Sequence, residues 1–401
     1  MPSTASEHVG HEHVVHEAVG GPVRPLEAAA ALIIGVNALI VFGVQAVMLG
    51  ALADAGRLSA AGIGQTATLE SLAMGAATAL AGTIRRPRRL RLTAAACTVI
   101  LALCDLACMG AGAPLIMATR ALAGAVEGVL LWVTVCMIAR TVTPERWAGV
   151  FFTLQVLGQF ALALAFGMWV LPRWGPSGGF VALGVVNLAG LALAPFAPRG
   201  FEPLPVPEGE GGAPPPRGWI ALIASFLYVS ASGAAAVYLI PIAHEAGLSA
   251  GVARTANWVS LAAQVAGGAS ATALAGKVRW YAVFVITSAT FAVGWWIYGH
   301  SPTAPLFIAA QAAGGYVAIL LGPFLVPFTI EADPSRRAAM QSGSAQVLGG
   351  AMGPWLASLV VGQRNARAVL ILSGSLLALG FSIVTTMRFG PRRLAGAGDE
   401  G

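Results

Sequence analysis

Long apolar runs alternate with short polar breaks along nearly the whole chain. A helix needs roughly 20 apolar residues to cross the hydrocarbon core of a bilayer. Runs of that order fall at 27–51, 61–83, 91–110, 114–139, 148–171 and 178–197. They resume at 218–243, 250–274, 280–299, 304–329, 338–361 and 367–387. Between the two sets, 198–217 is polar and rich in Pro and Gly, with Glu202, Glu208 and Glu210 keeping it solvated. The pattern predicts an all-α polytopic membrane protein with twelve transmembrane helices in two six-helix, pseudo-symmetric halves. The expected parts are a tail at 1–25, a bundle at 26–197, a linker at 198–217, a bundle at 218–387 and a tail at 388–401.

The halves repeat each other. Pro114–Gly124 (PLIMATRALAG) returns as Pro305–Gly315 (PLFIAAQAAGG), and Gln155-Val156-Leu157-Gly158 returns as Gln346-Val347-Leu348-Gly349, both 191 residues on. Asp54-Ala55-Gly56 maps onto Glu245-Ala246-Gly247 at the same offset. Ala79–Gly82 maps onto Ala273–Gly276 with a further three residues of drift. Ordered matches at nearly one offset mark a duplicated architecture.

Composition excludes a soluble domain. The chain is 57% hydrophobic and 10% charged, against roughly 25% charged in soluble proteins. Its net charge of +6 does not point to nucleic acid, because the basic residues are placed by topology. With the N-terminus inside, 17 of the 23 Lys and Arg residues face the cytoplasm, five lie outside and Arg120 lies within a span. That asymmetry orients membrane proteins and puts both termini in the cytoplasm, in a multi-pass protein of the inner (cytoplasmic) membrane. The polar start and the length of the first apolar run do not form a signal peptide. Cys97, Cys104, Cys108 and Cys136 all lie in spans three and four, where no secreted disulfide framework forms.

Two six-helix halves, a central linker and internal repeats resemble the major facilitator superfamily of secondary transporters, over residues 25–390. Gly82–Leu90 (GTIRRPRRL) is similar to the family's basic loop between helices two and three, without its usual acidic residue and second glycine. Gly276-Lys277-Val278-Arg279 is its shorter echo. Arg120-x-x-x-Gly124-x-x-x-Gly128 matches the family's pattern on helix four, and the resemblance implies a proton-coupling role for Arg120. Gly349–Pro354 (GGAMGP) is similar to the Gly-Pro motif of drug/proton antiporters, but it sits in span eleven instead of span five.

Charges within a bilayer are costly and mark function, at about 2.5–3.5 kcal/mol each on insertion scales. Glu70, Asp105, Arg120 and Glu127 lie well inside spans, all in the first half. Asp105 and Arg120 flank the turn at 109–113 and are expected to form an ion pair. Glu70 and Glu127 are then left without a cation. Each is a carboxyl able to bind and release a proton as water access alternates. Proton coupling is therefore expected from Glu70, Glu127, Arg120 and Asp105. The repeat replaces Glu70 by Gln264, Arg120 by Gln311 and Glu127 by Ala318, so the second half is expected to supply neutral contacts.

Substrate contacts are expected from Asn37, Gln155, Tyr228, Gln264, Gln311 and Tyr316. Gln45, Trp132, Ser232, Tyr238, Gln159, Asn257, Gln341 and Gln346 are further intramembrane polar or aromatic groups. The absence of a cationic cluster disfavours phosphorylated substrates and favours a weakly polar or aromatic small molecule. The His-rich tail (His8, His11, His13, His16) and the stripe Cys97–Cys104–Cys108 read as a solvated tail and core packing, not metal sites. No phosphate-binding Gly-Lys-Ser/Thr loop is present, so an ATP-driven pump is unsupported. No nucleophile–base constellation suggests an enzyme, and no cofactor is expected. The sequence thus reads as a monomeric, proton-coupled secondary transporter of a small organic solute. The alternative is a non-transporting receptor or accessory protein on the same fold.

Overall fold

A computed structural model describes residues 23–84, 86–204, 213–361 and 365–389. Residues 1–22 with His8, His11, His13 and His16, the middle of the linker, Arg85, 362–364 and 390–401 lie outside the described residues. Within them the chain is helical, and the sole β feature is an isolated bridge between Arg88 and Gly200. The helices are α1 (Pro25–Leu39), α2 (Val41–Asp54), α3 (Ala60–Gly82), α4 (Leu90–Ala107), α5 (Ala113–Ile138), α6 (Pro144–Ala165) and α7 (Leu171–Ala189). They continue as α8 (Pro216–Val237), α9 (Leu239–Glu245), α10 (Ala250–Leu274), α11 (Trp280–Gly299), α12 (Ala304–Ala332), α13 (Arg337–Val360) and α14 (Ala368–Phe389). Eight described stretches are long and apolar enough to cross a membrane. Helices α3, α10 and α13 are not among them, because Glu70, Gln264, Gln341 and Gln346 dilute their apolar faces. The two apolar runs at 148–171 and 178–197 join into one helical stretch, Pro144–Phe196, kinked at Gly175 (φ 60°) before Pro176.

Local chemistry sets the ends of these helices. Ser59 and Ser249 cap α3 and α10, their hydroxyls accepting from Gly62 N (3.0 Å) and Val252 N (3.4 Å). Gly56 and Gly247 take positive φ (69° and 78°) where α2 and α9 stop. The repeat Asp54-Ala55-Gly56/Glu245-Ala246-Gly247 is thus kept where the backbone needs a residue without a Cβ. The first apolar run breaks at Ile40 and the seventh at Tyr238, dividing α1 from α2 and α8 from α9.

Small residues let helices touch. A Cβ at Gly124 would collide with the Glu70 carbonyl, and one at Gly128 with that of Met74, so α5 lies against α3 backbone to backbone. Gly315 on α12 meets Ser260 on α10 in the same way. One core cluster draws mainly on α1 to α6, and another on α8 to α14.

The two parts meet at one end of the molecule. Ser344 donates to Gly75 O (2.8 Å) and Gln341 to Ala79 O (3.0 Å), tying α13 to α3. Arg336 donates to Ala139 O (2.7 Å) and Thr141 O (2.9 Å), just past the end of α5. A Cβ at Gly268 on α10 would lie 2.6 Å from Thr153 Oγ1 on α6. The basic loop docks at the same end, with Leu90 N bonded to Arg199 O (3.1 Å) and Phe201 N to Pro87 O (3.0 Å).

Replacing Gly124 by Leu forces α5 off α3. Overpacking of this kind costs about 1–3 kcal/mol, or more where backbone is the obstacle. Thermal unfolding followed by tryptophan fluorescence is expected to show a clear loss for Gly124→Leu. Gly50→Leu, where a Cβ meets nothing within 4 Å, is expected to melt like the parent chain.

Candidate functional site

Four ionisable side chains converge between α3, α4 and α5. Glu70, Asp105, Arg120 and Glu127 are each at most 3% exposed. Arg120 Nη1 donates to Asp105 Oδ1 at 2.6 Å, the pair expected from the hairpin. Arg120 Nη2 is bonded to Glu70 Oε1 and lies 3.4 Å from Glu127 Oε1. The expectation that Glu70 and Glu127 lack a cation is therefore wrong. Glu127 follows Arg120 by two turns on one face of α5, and the glycine contact at Gly124 brings Glu70 up to the same guanidinium. That contact joins α3 to α5, which no hairpin argument reaches.

Further side chains complete the cluster. Asn187 on α7 donates to Asp105 Oδ2 (2.6 Å), and Gln45 on α2 donates to Glu70 Oε2 (2.8 Å). Asn187 was not foreseen, and only its amide in the sixth apolar run marks it. Glu127 Oε2 is buried with no hydrogen-bond partner. One guanidinium thus faces three carboxyls, and with all four ionised the cluster carries a net charge of −2. In a medium of low dielectric such an excess is expensive, so the electroneutral form holds two protons.

The second part of the chain carries a neutral counterpart. Matching the Ser59 and Ser249 caps places Ser260, not Gln264, opposite Glu70. Gln311 stands opposite Arg120, and its Nε2 lies 3.4 Å from Ser260 Oγ. Tyr298 Oη donates to Gln311 Oε1 (2.7 Å) from α11, the helix corresponding to α4. Ala318 stands opposite Glu127 and lines the hollow of about 180 Å³ that remains, together with Ser260, Gln264 and Gln311.

A larger cavity of about 760 Å³ lies between the two parts of the chain. Gln45, Gln155, Gln159, Gln264 and Gln346 supply five amides to its wall. Phe42, Phe151 and Phe152 supply aromatic surface, and among the described residues no charged side chain lines it. Of the six expected substrate contacts, Gln155 and Gln264 line this cavity, and Gln311 lines the smaller hollow that Gln264 also borders. The other three do not line either one. Tyr228 is buried in the core, bonded to Ser288 Oγ (2.7 Å) and edge-on to Phe284. Asn37 turns toward Gly190, and Tyr316 packs on the core where its backbone meets Gly267. A tyrosine ring fills core volume as readily as it binds a ligand, and its spacing does not separate the two uses.

Gln45 belongs to both places. It lines the large cavity and bonds Glu70, so one amide joins the solvent-accessible space to the ion cluster.

No family model and no curated protein sequence matches the chain. Solved structures do. The E. coli fucose:proton symporter FucP superposes with a TM-score of 0.68 at 14% identity, covering 90% of this chain and 98% of that one. The human organic anion transporter MFSD10 (TETRAN) gives 0.65 at 14% identity, covering 90% and 99%. A bacterial homologue of the iron transporter ferroportin, in an outward-facing state, gives 0.68 at 12% identity, covering 90% and 99%. This is the major facilitator fold. At this level of identity the likeness carries the fold, and the site must be read from this chain's own residues.

Removing Arg120 leaves three buried carboxyls without their cation. Arg120→Met is expected to lose about 3–5 kcal/mol of stability, the scale for breaking a buried ion pair. Glu127→Gln replaces the carboxyl whose second oxygen has no partner by a neutral amide of the same shape, and is expected to melt close to the parent temperature. Parallel thermal melts in detergent measure both.

Proposed function

We propose that the protein is a secondary active transporter of a small organic solute, coupled to protons and working by alternating access. The observation that carries this reading is the amide of Gln45, shared between the large cavity and a cluster with three carboxyls for one arginine. A solute in the cavity touches the group that holds Glu70, and Glu70 shares Arg120 with Asp105 and Glu127. Binding and the proton content of the cluster are thereby linked. Gln155 and Gln264 contact the solute in this reading, and Gln311 extends the wall into the neighbouring hollow.

The architecture proposed is twelve membrane-spanning segments in two six-helix halves, 26–197 and 218–387. The paired features Ser59/Ser249, Gly56/Gly247 and Gly124/Gly315 support it. The linker and both tails then share the cytoplasmic side with the basic loop at 82–90. The contacts of α13 with α3 and α5 lie at that end, which corresponds to a cavity closed toward the cytoplasm. Arg336, Gln341 and Ser344 bond backbone carbonyls there, and these bonds can break and re-form without stranding a buried charge.

Reconstituted protein is expected to move its solute in response to an imposed pH gradient, measured as uptake into proteoliposomes. Glu70→Gln is expected to uncouple that flux, so that the solute still equilibrates across the membrane but is no longer concentrated by the gradient. Gradient-driven accumulation that survives both Glu70→Gln and Glu127→Gln would overturn the coupling assignment.

A further inference from the structure

We infer that the large cavity selects amphipathic organic ammonium ions that carry N–H donors. The inference rests on reading that cavity as the solute site, and it follows from which ends of its amides are already taken.

Helix α1 stops at Leu39, and the break at Ile40 leaves the Leu39 carbonyl free to accept from Gln159 Nε2 at 2.7 Å. That bond fixes the orientation of the Gln159 amide, since a carbonyl can only accept. Gln159 therefore presents its Oε1 to the cavity. Gln45 Nε2 is engaged by Glu70, so Gln45 likewise presents Oε1. One turn before Gln159 on α6, Gln155 Oε1 is buried with no hydrogen-bond partner at all. Gln45 and Gln159, from α2 and α6, thus offer accepting oxygens to the cavity, and the oxygen of Gln155 lies unpartnered within its wall. A buried unsatisfied acceptor costs about 1–3 kcal/mol, so a ligand that donates to it has an advantage that an acceptor-only ligand lacks.

Charge adds a sign to this preference. Among the described residues, no Lys, Arg or His lines either cavity. The nearest charged cluster, reached through Gln45, has three carboxyls against one guanidinium. An anion entering here meets carbonyl dipoles negative end first. A cation meets the favourable end of the same dipoles. The remaining wall is apolar, with Phe42, Phe151, Phe152 and Leu131 offered to the body of the ligand. Aromatic faces also attract a cation directly.

The test uses four probes of one shape: 4-phenylbutylamine, its N,N,N-trimethyl analogue, 4-phenylbutanol and 4-phenylbutanoate. Binding to the purified full chain near pH 7 is measured by tryptophan fluorescence and by thermal stabilisation. The primary amine is expected to bind tightest. The trimethyl analogue keeps the charge but has no N–H, and is expected to bind about tenfold more weakly or worse, the scale of a lost charged hydrogen bond. The carboxylate is expected not to bind. Gln155→Leu is expected to weaken the amine about tenfold and to leave the trimethyl analogue unchanged, which separates a lost acceptor from a misfolded chain. Equal affinity for the amine and its trimethyl analogue, or for the amine and the carboxylate, overturns the inference. Proteoliposome flux keeps the two proposals apart. Selective amine binding with no pH-driven flux of any probe overturns the transport reading and leaves this one standing. Flux that is equally fast for the carboxylate and the amine overturns this one and leaves transport standing.

Discussion

The guanidinium of Arg120 organises the first half of the molecule. It is buried where a lone charge would be intolerable, so it needs carboxylates, and each of them comes from a different place in the sequence. Asp105 reaches it from α4, Glu70 from α3 and Glu127 from its own helix. Asn187 and Gln45 then satisfy the outer oxygens of Asp105 and Glu70, drawing in α7 and α2. Five helices are registered against one another through one cation. The close packing at Gly124 and Gly128 exists in step with it, because Arg120 reaches Glu70 only when α3 and α5 lie in backbone contact.

The second part of the chain shows what the same scaffold does without the charge. Ser260, Gln311 and Tyr298 occupy the corresponding places with two neutral hydrogen bonds, and Ala318 leaves a hollow where Glu127 would stand. Both versions keep the glycine contact, Gly124 in one and Gly315 in the other. The helix approach is the same in both places, and the polar group it presents differs. Ionisable groups behind one wall of the cavity and neutral donors and acceptors behind the other make its two sides chemically unequal.

The cavity depends on the cluster through backbone as well as side chains. The interruption at Ile40 leaves the carbonyl that holds Gln159, and Gln45 on α2 reaches both the cavity and Glu70. Amides are apt here because each has a donating and an accepting end. Where the donating end is held by protein, the accepting end is left to the cavity. The chemistry of the wall is set by these held orientations more than by residue type.

The apolar runs, the repeat and the asymmetric basic loops were legible in sequence because each follows from a one-dimensional requirement. A bilayer crossing needs a fixed length, a duplicated helix end needs the same cap or glycine, and intramembrane charge is rare enough to stand out. The Asp105–Arg120 pair was legible for the same reason, since a hairpin puts both at one depth. The partners of Glu70 and Glu127, the role of Asn187, and the choice of Gln155 and Gln264 over Tyr228, Asn37 and Tyr316 as cavity groups were not. All of these depend on which face of a helix meets which neighbour. In spans apolar almost all round, hydrophobic periodicity does not mark that face. The sequence determined that the chain is built from long apolar helices and which charges they carry. Only the tertiary structure decided that three carboxyls share one arginine and that a single glutamine ties them to the cavity, because the Arg120–Gly124–Gly128 spacing marks a contact face without naming the helix that packs on it, and a side-chain bond such as Gln45 to Glu70 depends on how each helix is turned.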